Sequence, residues 1–330
     1  MTAAGEVLAA EIERNGPVSF ARFMEVALYH PQHGYYRRQR DPFGKSGDFF
    51  TAEQLQPAFG LLMSAYARKL RRDAGDAEEC TVVELGAGRG EMAEAFAPWK
   101  YIPIEIESPA MPERWSGVLF SNEFFDALPV DVAVFSNGEF REQRVGFSNE
   151  RFIWQTGPRV SEAAADYLAR YFPPPQPGNW HEVGLSALEW MDRIAARLRA
   201  GFVITVDYGY TRAEALRFPA GTLMGYRSHV AREDVLTDPG ERDITAHVNF
   251  TALAEHGERV GLRRVSFRTL AQTVLDAGDE DQFASVLSAG VPAEGERRRM
   301  QLKTLLVGMG ETFRVLVQRK ERTEKPEGKA

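Results

Sequence analysis

The residues best suited to chemistry form one short run, Glu84-Leu85-Gly86-Ala87-Gly88-Arg89-Gly90. It follows the apolar segment Thr81-Val82-Val83 and precedes a stretch with helical character. Alternating glycines let the backbone turn tightly and approach a ligand without a Cβ clash. The helix start beyond them offers free N–H groups. A dinucleotide loop places its last glycine three residues after the second. Here the order is Gly86-x-Gly88-x-Gly90, so no pyrophosphate cradle is expected. G-x-G-x-G after an acid is instead the usual loop of enzymes that bind S-adenosylmethionine. Gly86, Gly88 and Gly90 become cofactor-binding candidates, and Glu84 is expected to face the cofactor's ammonium group. The bland alternative is a tight glycine turn in an α/β core. About twenty residues on, Tyr101-Ile102-Pro103-Ile104-Glu105-Ile106 ends in acid. A carboxylate at such a strand end can accept from both ribose hydroxyls. Glu105 is the candidate and Glu107 the fallback, against the reading of an exposed strand-end acid.

Several elements must position these groups. Residues 3–14 and 19–30 read as amphipathic helices, with Ser19 as N-cap of the second. Thr51-Ala52-Glu53-Gln54 has capping-box spacing, so a helix is expected from there to about Arg72. Val82–Leu85, Tyr101–Glu107 and Val118–Ser121 read as strands, with a two-turn helix at Glu91–Ala97. Strands alternating with helices indicate a parallel, doubly wound sheet. Val130–Ser136 and Glu139–Gly146 break the alternation. They are joined by Asn137-Gly138, a two-residue hairpin signal. Arg151–Gln155 adds a possible third strand. Helices at 161–171 and 185–199, a strand at Phe202–Val206, a helix near 248–257, a strand near 260–267, a helical stretch at 281–306 and a strand at Phe313–Gln318 complete the expected order. Charged, Pro/Gly-bearing residues 321–330 read as a disordered tail.

Composition narrows the function classes. The 330 residues are 44% hydrophobic and 26% charged, with a formal net charge of -7. That balance opposes nonspecific nucleic-acid binding, which needs a surplus of Lys and Arg. The single cysteine, Cys80, excludes a disulfide framework or a Cys-based zinc site within one chain. Asp243 and His247 share helical spacing, but no third ligand stands out, so no metal is expected. No apolar stretch is long enough to span a membrane, and the start of the chain lacks the pattern of a signal peptide. The expected location is cytoplasmic.

Several separated blocks resemble the MidA-type methyltransferase family. They are Tyr29-His30-Pro31 through Gly34-Tyr35-Tyr36, Gly47-Asp48-Phe49-Phe50-Thr51-Ala52, and Val83 through Gly90. Next come Asn122-Glu123-Phe124-Phe125-Asp126-Ala127-Leu128-Pro129-Val130, Val206-Asp207-Tyr208-Gly209-Tyr210, and Asp243 through Phe250. They occur in the family's order, and the Asn-Glu-Phe-Phe-Asp-Ala-Leu-Pro block is the most specific. The resemblance implies a Rossmann-like class I methyltransferase core, with a helical N-terminal segment and a β-rich and helical insertion. Its mitochondrial member's association with arginine dimethylation implies an arginine-bearing protein as substrate. The expected organisation is 1–75 as the N-terminal segment contributing to the cofactor site, 76–129 with 201–320 as the core, and 130–200 as the substrate-facing insertion. The family has a further helix and strand before the Asn122 block. Residues 108–117, with two prolines, are too few for both, so a non-helical link and a more exposed adenine are expected.

An arginine acceptor is a delocalised cation with fixed N–H donors, so its site should offer carboxylates. Asn122, Glu123 and Asp126 are the catalytic candidates, because they follow a strand at the ligand-binding edge of the sheet. Phe124 and Phe125 could stack on a guanidinium or serve only as core aromatics. Asp48 and Thr51 are candidates for closing over the cofactor's amino-acid end. Asp207, Asp243, His247 and Asn249 are candidates on the substrate side, although a lone histidine is more often structural. Two other readings stay open: a degenerate methyltransferase fold acting as a binding or assembly factor, and a small-molecule methyltransferase.

Overall fold

A computed structural model describes residues 1–38, 52–76, 79–106, 110–288 and 290–322. The chain groups into two compact units. One holds residues 51–124, 190–209 and 253–330; the other holds 1–50, 125–189 and 210–252. The boundaries fall differently from the expected organisation. Residues 1–50 group with the β-rich insertion and with 210–252, whereas 51–75 group with the glycine loop.

The glycine-loop unit is built on a sheet with strand order Arg263–Thr269, Phe313–Lys320, Leu198–Tyr210, Trp115–Asn122, Thr81–Leu85 and Lys100–Ile104. The last four run parallel, and Phe313–Lys320 is antiparallel to both its neighbours. Trp115–Asn122 is buried at every position but Ser116. Such continuous burial is what a parallel strand covered on both faces requires. Helices Ala58–Asp73 and Leu270–Gly278 pack in this unit, and Phe59, Leu62, Tyr66, Phe96, Phe120, Ile204, Leu270 and Val315 share its core.

Register decides what lies at the ligand-binding edge. Leu85 stands opposite Ile104 on one side and Ser121 on the other, and Asn122 stands opposite Val206. Gly86, Glu105, Asn122-Glu123 and Asp207 therefore lie along the same, carboxyl, edge of the sheet, where ligands bind in open α/β folds.

The other unit holds a five-stranded sheet in which Val18–Ser19, Glu139–Ser148, Asp131–Ser136 and Trp180–Val183 follow in order, with Arg151–Arg159 also on Glu139–Ser148. The hairpin turn is as expected: Asn137 and Gly138 both take positive φ, 51° and 83°, as a tight two-residue turn demands. A small sheet of Val230–Arg232, Met224–Arg227 and Asp243–Thr245 was not anticipated, because its strands are only three or four residues long. Helices Ala3–Asn15 and Phe20–Tyr29 lie in this unit, and Ser19 caps the second through its side chain and Arg22 N–H.

Three local expectations change. The helix expected from Thr51 begins only at Ala58 after a short turn at Ala52–Gln54, since Pro57 lacks an N–H and disfavours helix at the residue before it. The helix expected at Glu91–Ala97 is a single turn, Ala93–Phe96, ended by Pro98. Helix Leu270–Gly278, with a Thr269/Gln272 capping box, was not foreseen. The described residues between Ile104 and Trp115 hold neither helix nor strand. Tail residues 323–330 lie outside the described residues.

Candidate functional site

Gly86, Gly88 and Gly90 take φ values of +70°, +55° and +79°. Side chains rarely adopt such angles, so the loop needs glycine on backbone grounds alone. The Gly86 N–H donates to the Ile104 carbonyl at 2.9 Å, tying the loop to the neighbouring strand end. A Cβ on Gly86 would meet the Phe124 ring at 3.1 Å, so Phe124 packs against the loop. Its ring also meets Trp190 edge-on at 5.1 Å. Glu105 lies at the loop too: its Oε1 accepts from Gly88 N–H at 2.7 Å.

Glu123 follows the adjacent strand with φ at +49°. A non-glycine residue in that region costs roughly 1–2 kcal/mol, and such strain concentrates at functional sites. The turn is held by Glu123 N–H donating to the Val206 carbonyl at 3.0 Å. The carboxylate is aimed by two donors to Oε1, Asn122 Nδ2 at 3.0 Å and Ala52 N–H at 3.1 Å. Asn122, 4% exposed, is thus a positioning group for Glu123. Asp207 is fully buried, and its Oδ1 accepts from Tyr208 N–H at 2.9 Å.

Two acids lie deeper. Glu84 and Glu53 are 0% and 5% exposed, and their carboxyl groups lie within hydrogen-bonding reach of each other. Tyr101 donates its hydroxyl to Glu84 Oε2. Burial pushes the Glu84 carboxyl up to about 7, against the Tyr101 and Glu53 hydrogen bonds, which favour the charged form. Burial, and then the charge of Glu84, push Glu53 well above the usual carboxylate range. Glu53 was noticed in the sequence only as part of a capping-box pattern, where an acid normally faces water. Tyr101 was read as a strand residue without a role. It stands opposite Val82, two residues before Glu84, and so shares Glu84's face, but nothing in an isolated sequence pairs the two strands.

A titration experiment follows from Glu84. Its folded pKa lies above the ordinary carboxylate value of about 4.3, so the stabilising neutral form is fully present below that value. It is lost as pH rises through about 7. Relative to Glu84→Gln, which cannot ionise, the wild type is expected to lose on the order of 3 kcal/mol between about pH 4 and pH 8. Denaturant unfolding of both proteins across that range measures it. Parallel pH profiles would mean that Glu84 does not carry the shift.

The second unit gathers another polar group. Tyr36 donates to Asp243 Oδ1 at 2.8 Å. Burial, followed by the charge of Asp243, raises the Tyr36 hydroxyl, with Asp126 adding to the effect. Asp126 and Asp243 are 4% and 3% exposed. Phe125 is buried in the protein interior. The His247 ring sits edge-on to Phe218 at 5.3 Å, and burial lowers its pKa. Asn249 is a helix cap: its Oδ1 accepts from Ala252 N–H at 3.1 Å. Asp48 and Thr51 lie outside the described residues. Among the described residues no cluster of His, Cys, Asp and Glu is arranged to hold a metal, and no helix is long and apolar enough to cross a membrane.

A sequence profile described as "Putative S-adenosyl-L-methionine-dependent methyltransferase" matches residues 99–268, just over half of the chain. The chain belongs to the MidA-type family of S-adenosylmethionine-dependent methyltransferases. A solved structure from Burkholderia thailandensis, described as a "COG1565 superfamily member and likely methyl transferase" bound to S-adenosyl-homocysteine, is 26% identical with a TM-score of 0.84. The match covers 98% of this chain and 93% of that one. Among curated relatives, the mitochondrial "Protein arginine methyltransferase NDUFAF7 homolog" of Drosophila melanogaster is 25% identical over 312 residues. That match covers 77% of this chain and 70% of the relative. Human mitochondrial "Protein arginine methyltransferase NDUFAF7" is 25% identical over 309 residues, covering 74% and 66%. These findings correct one expectation. The cytoplasmic location does not stand, because the curated relatives are mitochondrial proteins; bulk charge and hydropathy carry no address.

The cofactor of this methyltransferase family is S-adenosylmethionine. The residues fit it. Three positive-φ glycines leave room for close approach, Glu105 borders the loop, and buried carboxyls stand behind it. The cofactor's amino acid carries a cation, and its ribose carries two donors.

Proposed function

We propose that this methyltransferase acts on arginine side chains of a protein substrate. The observation that carries the reading is Glu123: a carboxylate on a strained turn at the sheet's carboxyl edge, oriented by Asn122 and the Ala52 N–H. The names of the curated relatives support the same substrate class. S-adenosylmethionine, when bound, supplies a methyl group activated by its sulfonium. The remaining work falls to the chain. An arginine stays charged at neutral pH and presents a planar fork of N–H donors. A carboxylate that accepts two of them localises positive charge and leaves electron density on the far nitrogen. Glu123 is assigned this role. Phe124, packed on the glycine loop and Trp190, excludes water and offers an aromatic face to a guanidinium. Glu105 and Glu84 are assigned to the cofactor.

The test is transfer of isotopically labelled methyl from S-adenosylmethionine to protein and peptide acceptors that differ only in Arg or Lys at the target position, with mass spectrometry to locate the label. Label on arginine alone is expected. Label confined to lysine, or to small metabolites in place of peptides, would overturn the arginine reading and leave the methyltransferase assignment intact.

A further inference from the structure

We propose that Glu53 and Glu84 form a single-charge receptor for the α-ammonium of S-adenosylmethionine, in which Glu53 keeps a proton and donates it to Glu84, and Glu84 becomes the anion as the cofactor enters. The inference rests on the cofactor assignment and adds a positioning residue, Glu53, and a proton to it.

Geometry carries the argument. Glu84 stands one residue before the end of the strand that leads into the glycine loop, and Glu53 reaches it from a different element, the turn Ala52–Gln54, with the two carboxyls within hydrogen-bonding reach. Both side chains are more than nine-tenths buried. Among the described residues, neither Glu53 Oε1 nor Glu84 Oε1 has a donor. Two ionised carboxylates in contact inside a protein repel each other and lose their hydration, so such a pair retains a proton. The remaining surroundings are acidic as well. Glu91 and Glu105 act on Glu84, Glu91 and Glu123 act on Glu53, and Tyr101 donates from the adjacent strand. A buried site of this kind lacks a cation, and the amino-acid end of the cofactor brings one. One cation matches the monoanionic pair, Glu53-H···Glu84⁻, and a second ionisation is not needed. The proton balance is simple: below about pH 7 the pair holds two protons, and the one on Glu84 leaves to solvent when the ammonium binds. Glu53 keeps its own, because a second anion beside Glu84 in a buried, water-free site is strongly disfavoured.

Calorimetric titration in two buffers of different ionisation enthalpy counts released protons. For the full chain at about pH 6, binding of S-adenosylmethionine is expected to release close to one proton, falling toward zero above about pH 8. S-adenosyl-homocysteine, which keeps the ammonium and lacks the sulfonium charge, should release the same number. Methylthioadenosine, which lacks the amino acid, should release none. Glu84→Gln should abolish the release and weaken binding at least tenfold. Glu53→Gln keeps a donor toward Glu84 and should bind the cofactor with release retained. Glu53→Leu, which leaves Glu84 without that donor, should weaken binding several-fold and shift the pH midpoint of release. Release by methylthioadenosine, or no release by either amino-acid-bearing ligand, would overturn the receptor while the cofactor assignment stands. Failure of both S-adenosylmethionine and its product to bind at all would instead strike the cofactor assignment. An unshifted release profile in folded Glu53→Leu would remove Glu53 from the pair.

Discussion

Replacing Glu123 by Gln is expected to lower kcat/KM for arginine methylation by about 30- to 1000-fold, which is on the order of 2–4 kcal/mol. Gln keeps a carbonyl oxygen to accept from Asn122 Nδ2 and the Ala52 N–H, so the turn at φ +49° should hold. What disappears is the negative charge. A carboxylate paired with a guanidinium in a partly desolvated site contributes through that charge, and a neutral amide, which also presents N–H groups, cannot reproduce it. Cofactor affinity should change far less than the methylation rate, since the glycine loop is untouched and the charge of Glu123 acts on Glu53 only behind burial and Glu84. The decisive comparison is single-turnover methylation of an arginine-bearing protein by the two enzymes, with cofactor affinity measured in parallel. Wild-type rates in Glu123→Gln would remove Glu123 from the mechanism. A loss confined to cofactor binding would reassign it to the cofactor side.

Gly88→Val should weaken S-adenosylmethionine binding at least tenfold, about 1.4 kcal/mol. Gly88 sits at φ +55°, where a β-branched side chain is strongly disfavoured. Relief of that strain would rotate the peptide and displace the N–H that holds Glu105 Oε1 at 2.7 Å. The loop and the Glu105 carboxylate would then be disturbed together. Gly138→Val is the control. It places the same strain at φ +83° in the hairpin, where an added Cβ meets nothing within 4 Å. The control should cost stability without changing affinity. If folded Gly88→Val binds the cofactor as tightly as wild type does, the loop assignment is wrong.

Much of the candidate site was legible as local pattern. The strand-glycine-helix run located the loop, and the acid after Tyr101–Ile104 located Glu105, because each depends on a few consecutive residues. Glu53 was not legible. An acid near a helix start is ordinarily solvated, and only the fold turns this one inward against Glu84. The contacts of His247 and Asn249 were not legible either. The fold sets the His247 ring edge-on to Phe218 and gives Asn249 a bond to the Ala252 N–H.

By itself, the order of residues determined the glycine turn, the positive-φ hairpin at Asn137-Gly138, the Ser19 cap and the alternation that builds a parallel sheet. These follow from steric and hydrogen-bonding preferences within a few residues. Tertiary structure decided the rest. Strand register aligned Gly86, Glu105, Glu123 and Asp207 on one edge. The grouping of residues 1–50 with 125–189 and 210–252 was likewise set by the whole chain. Burial pushed the carboxyls of two ordinary glutamates above the usual range. The physical reason is common to all three. Pairing of strands, exclusion of water and the energy of a charge depend on atoms brought together from remote positions, and no window of the sequence contains them.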